Sequence, residues 1–193
     1  MVENRNIIVV SGLPRSGTSM MMSVLEAGGL EILTDRLRQA DAHNPNGYYE
    51  YEPVKRLRDG DTSWLSNAVG KAVKIISGLI TYLPPDYVFK VIFMQRDLHE
   101  ILASQKKMLD TQEKKDEQVP EVKMQEIFRK HLQQVKQWIS ERSNMQVLYV
   151  NYNEVVYDPA DSLSKINAFL SRDMNLEKMS RVIDQQLYRE RKV

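Results

Sequence analysis

Cysteine is absent from the 193-residue chain, and with it go disulfides, thiolate nucleophiles and cysteine-ligated zinc. That absence fits a reducing compartment, so a cytoplasmic protein is the expectation. A surplus of charge is also missing: 27 Lys and Arg stand against 26 Asp and Glu, for a formal net charge of +1. Bulk electrostatics gives no reason to expect nucleic acid or an anionic membrane as a partner, and any anion site must be local. No apolar run has the length of a signal core or a membrane span. Internal repeats and low-complexity tracts are lacking too. What remains is an ordinary globular composition, 42% apolar and 27% charged, expected to form a single domain over residues 1–193.

Short β-branched runs alternate with helical patterns. NIIVV (6–10) is apolar at nearly every position, as a strand buried on both faces of a parallel sheet must be. TSMMMSVLEAGG then repeats with helical spacing at Met21, Val24 and Leu25 and stops at Gly28-Gly29. LEILT, AVKII, YVFKVIFM and MQVLYVNY read as further strands, and DLHEILASQKKML as a helix. EPVKRLRDGDTSWLSNAVG reads as helical with a break near Gly60. Pro120 opens a long amphipathic helix, and two helical segments close the chain. Residues 113–118, EKKDEQ, are a charged, solvated stretch, and 35–53 is a long loop. The pattern predicts an α/β fold: a three-layer, doubly wound parallel sheet with a phosphate-binding loop. Ligands in such folds bind at the carboxyl ends of the strands. There the loop after the first strand, Asp35, Ser77 and Arg96 should meet.

The loop itself, GLPRSGTS (12–19), nearly matches the nucleotide-binding frame G-x-x-x-x-G-K-[ST]. Its glycines let backbone N–H groups turn inward, and the following helix presents its positive end. Thr18 occupies the lysine slot, however, and an arginine, Arg15, sits inside the loop. A magnesium NTPase needs that lysine, and an aspartate directly at the end of a second strand. VIFMQRD offers Arg96 first, with Asp97 placed to cap the next helix. The site is expected to take an anion without a metal. Arg96 and Ser104, eight residues apart, can converge on one phosphate from a strand exit and two helical turns further on.

Together these segments resemble the sulfotransferases that use 3′-phosphoadenosine 5′-phosphosulfate (PAPS) as donor. GLPRSGTS resembles their 5′-phosphosulfate loop, and QRDLHEILASQ their 3′-phosphate segment. VLYVNYNEVVYDPADSLSKINAFL resembles their late strand–helix region. AGGLEILTD and NPNGYYEYEPVKRL resemble, more closely, a bacterial group of sulfotransferase-like proteins. The histidine-bearing KTHLP-like stretch of the small-molecule enzymes is replaced by VKIISGLITYLP, which keeps Lys74 and no histidine. The glycine- and lysine-rich C-terminal loop is replaced by LYRERKV.

The resemblance implies sulfuryl transfer from PAPS to a hydroxyl or amine acceptor. Pro14, Arg15, Ser16, Gly17, Thr18 and Ser19 would cradle the phosphosulfate, and Arg96 and Ser104 the 3′-phosphate. Tyr188 and Arg189 would close over the nucleotide. Arg15 and Lys74 would stabilise charge developing on the sulfuryl group. The proton acceptor is expected at Asp35, with Glu50 and Glu52 as runners-up. The histidines are set aside: His99 lies in a first helical turn, His131 on a helix read as facing solvent, and His43 in the long loop. The short chain leaves the acceptor pocket open or completed by a partner, for which a homo-oligomer is one arrangement. Two rival readings persist: a small-molecule kinase using ATP and magnesium, and a degenerate nucleotide-binding interaction module.

Overall fold

A computed structural model describes residues 6–41, 44, 47–111 and 119–184. Five parallel strands form one sheet: β1 (Asn6–Gly12), β2 (Ile32–Leu33), β3 (Ala72–Lys74), β4 (Val88–Gln95) and β5 (Met145–Asn151), in the order β2-β3-β1-β4-β5. The helices are α1 (Thr18–Ala27), α2 (Ser77–Ile80), α3 (Leu98–Thr111), α4 (Glu121–Ser140), α5 (Tyr152–Tyr157), α6 (Pro159–Leu170) and α7 (Leu176–Arg181).

Side chains alternate across a strand, so an all-apolar strand must be covered on both sides. Ile8 and Val10 of β1 face one layer, with Met21, Val24 and Leu25 of α1, Leu163 and Ile166 of α6, and Met179 of α7. Ile7 and Val9 face the other, with Ile80 of α2, Val135 and Ile139 of α4, and Leu57 and Trp64. The three-layer, doubly wound α/β fold predicted from the alternation is therefore the one observed.

Three details differ from the expectation. The LEILT strand shrinks to Ile32–Leu33, because its neighbour in the sheet, β3, is three residues long and pairs through Ala72 and Val73. The stretch around Gly60 forms two 3₁₀ segments, Glu52–Asp59 and Ser63–Ala68, separated where Gly60 turns left-handed at φ 79°. Among the described residues three helices follow β5 where two helical segments were expected, since α5 starts at the very next residue, with Asn151 Oδ1 capping its first turn. The charged run 113–118 lies outside the described residues.

Strand register sets the rim. Val10 pairs with Lys74, Gly12 with Met94, and Gln95 with Asn151. The glycine loop, Lys74, Arg96 and Tyr152 all leave the sheet on its carboxyl edge.

Candidate active site

Two glycines of the loop are fixed by close approach. Gly12 has φ 148°, and a Cβ there would lie 2.5 Å from Ser16 Oγ and 2.8 Å from the Met94 carbonyl oxygen. Gly17 has φ 98°, and a Cβ would lie 2.4 Å from the Tyr152 ring. Between them Arg15 adopts φ 72°, a conformation that costs a residue with a side chain. The loop runs into α1, whose first turn has no side-chain cap and leaves its amide donors to the loop's concave side. Pro14 is exposed at the tip, and Thr18 is buried as the first residue of α1. Ser16 is turned inward: it is 1% exposed, and its hydroxyl has no hydrogen-bond partner. Tucked beneath Gly12, its side chain contributes to the floor of the loop instead of its rim.

Arg15 connects this loop to α3. Its Nε donates to Ser104 Oγ at 2.9 Å, while Arg96 Nη1 donates to the Arg15 carbonyl at 3.2 Å. Arg96 is itself held on three sides. Its Nε pairs with Glu100 Oε2 at 2.9 Å, with side chains only 7% and 3% exposed, and its guanidinium lies 4.4 Å from the centre of the Tyr152 ring. Asn153 Nδ2 donates to the other Glu100 oxygen at 3.4 Å. Arg96 and Ser104 are thus brought together, as their spacing suggested, with Arg15 between them. Asp97 accepts from the His99 backbone N–H at 2.9 Å, the capping role expected of it. Sequence reasoning missed Glu100, Tyr152 and Asn153. The Arg96–Glu100 spacing of four, from the strand exit into the first turn of α3, was a readable signal for the first of them.

Lys74 stands on the other side of the loop. It is 9% exposed and donates to the Tyr48 carbonyl, and its Nζ is 3.5 Å from Ser19 Oγ. Ser19 Oγ also reaches the Tyr48 carbonyl, at 3.4 Å. Burial pulls the Lys74 pKa down to about 8, against a smaller upward pull from Glu50. Tyr48 is clamped in turn, its hydroxyl donating to Asp41 at 2.7 Å and its ring lying 3.3 Å from the Arg38 guanidinium.

The carboxylates expected to act as base all have partners close by. Asp35 accepts from the Leu37 backbone N–H at 3.0 Å through one oxygen and from that of Glu52 at 2.6 Å through the other. It ties the two ends of the long loop together. Glu50 pairs with Arg38 at 2.8 Å, and Glu52 pairs with Lys55. His131 does not face solvent as expected; it is half-buried, with Nε2 2.9 Å from the buried Ser77 Oγ. The error was one of phase, because the apolar face of α4 continues past Val135 toward α2. His99 stays at the surface beside Glu121. Tyr188, Arg189 and His43 lie outside the described residues.

A family model described as the sulfotransferase domain matches residues 5–192. The chain belongs to that family, and it is an enzyme of the sulfotransferase class that the sequence resembled. Among solved structures it is similar to the sulfotransferase domain of an olefin synthase from Synechococcus PCC 7002, with TM-score 0.59 and 16% identity over 97% of this chain and 88% of that one. It is also similar to a retinol dehydratase in complex with androsterone and the inactive cofactor PAP, with TM-score 0.53 and 19% identity over 97% and 65% of the two chains. A mouse sulfotransferase complexed with PAP gives TM-score 0.53 and 19% identity over 95% and 64%. A comparison with curated proteins returns no match. Among the described residues, no helix is long and apolar enough to cross a membrane.

Proposed function

We propose that this chain transfers the sulfuryl group of PAPS to a hydroxyl or amine acceptor without a metal ion. The observation that carries the reading is the meeting of Arg15, Arg96 and Ser104 beside the glycine loop. Two guanidinium groups and a hydroxyl form a compact recognition site for a phosphate separate from the 5′ chain, which ATP lacks and PAPS carries at its 3′ position. The Gly12–Ser19 loop and the start of α1 hold the 5′-phosphosulfate through backbone amides, with the Thr18 and Ser19 hydroxyls beside them. Lys74 adds a cation on the acceptor side, where negative charge collects on the departing 5′-phosphate and the sulfuryl oxygens.

Arg15 thereby takes a donor-binding role, since its side chain is directed to Ser104. Asp35 serves as the anchor of the long loop, because both of its oxygens are engaged by backbone amides. The placements of Tyr188 and Arg189 over the nucleotide and of a homo-oligomeric partner over the acceptor remain parts of the same proposal, as does a cytoplasmic location. Incubation with radiosulfur-labelled PAPS and a set of phenol, alcohol and amine acceptors tests the reading. Label should pass to an acceptor with EDTA present, and a strict requirement for magnesium would contradict it.

A further inference from the structure

A partly open cavity of about 110 Å³ lies beneath the glycine loop, between α3 and α4. It is on the α4 side of the sheet: Phe93 of β4, which packs in the layer of Val135 and Ile139, lines it, whereas α1 packs in the other layer. Leu13, Leu98, Ile101 and Leu132 supply apolar walls, and none of Thr18, Ser19 and Lys74 lines it. The space is therefore separate from the concave side of the loop, where α1 presents its amides. Two polar groups look into it without protein partners. The Ser16 hydroxyl, on a residue 1% exposed, lines the cavity from the loop and has no hydrogen-bond partner. A buried hydroxyl left unpaired is costly, and a ligand that supplies a partner removes the cost. Lys136 lines the cavity from α4, its ammonium 5.0 Å from the centre of the Tyr149 ring. Its neighbours three and four residues away on the helix are Leu132, Gln133, Ile139 and Ser140, so α4 offers it no acid. Arg96 is the second cation of the lining, already paired with Glu100, and among the described residues no acid lines the cavity.

We propose that this cavity is a second ligand site, which binds a small aromatic carboxylate with its ring between α3 and α4 and its carboxylate on Lys136. The size sets the ring count. An apolar cavity of about 150 Å³ takes up benzene, so a somewhat smaller one that is open at the side holds a single ring. The charge follows from a lining with two cations and no acid. A hydroxyl on the ring, away from the carboxylate, supplies the partner that Ser16 lacks. Occupancy also bears on the donor loop. Leu13 and Ser16 belong to that loop, and Arg96, which donates to the Arg15 carbonyl, is part of the same wall. A ligand filling the space beneath them holds the loop in one arrangement, so ligand and nucleotide strengthen each other by the same factor. That coupling rests on the donor-site reading above; the site itself does not.

The test titrates the full chain by calorimetry with 4-hydroxybenzoate, benzoate, benzamide and acetate, with and without saturating adenosine 3′,5′-bisphosphate. Benzoate should bind about threefold to tenfold more weakly than 4-hydroxybenzoate, the worth of one hydrogen bond. Acetate, which has no ring to bury, should not bind. Lys136→Gln should weaken both aromatic carboxylates about fivefold to tenfold and leave benzamide unchanged. Ser16→Ala should abolish the preference for 4-hydroxybenzoate over benzoate. Leu132→Trp should fill the cavity and remove binding; if that variant fails to fold, Lys136→Gln, a change at the cavity mouth, decides alone. The methyl resonances of Leu13, Ile101 and Leu132 should shift during the titration. The bisphosphate should bind about fivefold tighter to the carboxylate-loaded chain. No binding of 4-hydroxybenzoate at about 10 mM overturns the site, as does binding that Lys136→Gln leaves intact. Competition between benzoate and the bisphosphate overturns its separation from the donor site. Sulfation of 4-hydroxybenzoate with a KM that rises in Lys136→Gln overturns it too, by making the cavity the acceptor pocket. A chain that binds no bisphosphate sinks the donor reading and the coupling, and the titration without nucleotide still decides the site.

Discussion

Arg15 Nε donates to Ser104 Oγ at 2.9 Å, joining the glycine loop to the middle of α3 across 89 residues of sequence. With Arg96 reaching the Arg15 carbonyl, the two halves of the proposed donor site are one hydrogen-bonded unit. A ligand that bridges the loop and α3 gains from both. Ser104→Ala and Arg15→Ala should each weaken adenosine 3′,5′-bisphosphate by about 1.5–3 kcal/mol, the worth of a charge-assisted hydrogen bond. Adenosine 5′-monophosphate, lacking the second phosphate, should lose far less. Titration calorimetry of both ligands checks this, and equal losses would remove the pair from 3′-phosphate recognition.

Lys74 gives the site a pH dependence whose sign is fixed. Its pKa falls from 10.5 in the unfolded chain to about 8 in the fold, so between those values the unfolded state binds more protons. Stability from this group therefore rises with pH across about 8 to 10.5 and is lowest below that window. Anion binding runs the other way, because only the protonated amine attracts the donor. Bisphosphate affinity should fall as pH rises through about 8 in the wild type. In Lys74→Met that fall should vanish and thermal stability near neutral pH should rise.

Glu100 is 3% exposed against an Arg96 side chain of 7%. Removing one charge of such a pair strands the other in a medium that solvates it poorly. Glu100→Gln should destabilise the fold by about 3 kcal/mol in urea unfolding. A change below about 1 kcal/mol would mean the pair is solvated in solution.

Gly17 tests the packing beneath the loop. Its φ of 98° and the Tyr152 ring 2.4 Å from a built Cβ oppose any side chain. Gly17→Ala should cost about 1–3 kcal/mol through overpacking and should lower donor affinity as the loop shifts. Gly17→Ala combined with Tyr152→Leu should recover part of the loss, and no recovery would mean that backbone strain alone is responsible.

The sheet, its parallel direction and the glycine loop were legible because each has a local chemical cause: alternating burial, helix-terminal glycines, and a short apolar run before a turn. The Arg96–Ser104 pair was legible for the same reason, as a spacing on one strand–helix unit. The partners of Asp35 show where that reasoning stops. Topology put the residue at the rim, but its carboxylate is claimed by the Leu37 and Glu52 amides, and Glu52 lies 17 residues on. Only the folded path of the loop decides that. Tyr48 and His131 were hidden likewise, the first because a backbone carbonyl has no sequence signature. The second was hidden because the half-buried side of α4 is set by α2, a four-residue helix too short to announce itself.

The central claim is that the site reads a nucleotide with two separate phosphates and does so without a metal ion. Titration calorimetry of adenosine 3′,5′-bisphosphate and of ATP, each with magnesium and with EDTA, tests it most directly. The account predicts that the bisphosphate binds tighter than ATP by at least about tenfold and that EDTA leaves its affinity unchanged. Tighter binding of magnesium–ATP, lost on adding EDTA, would contradict the account and favour a kinase.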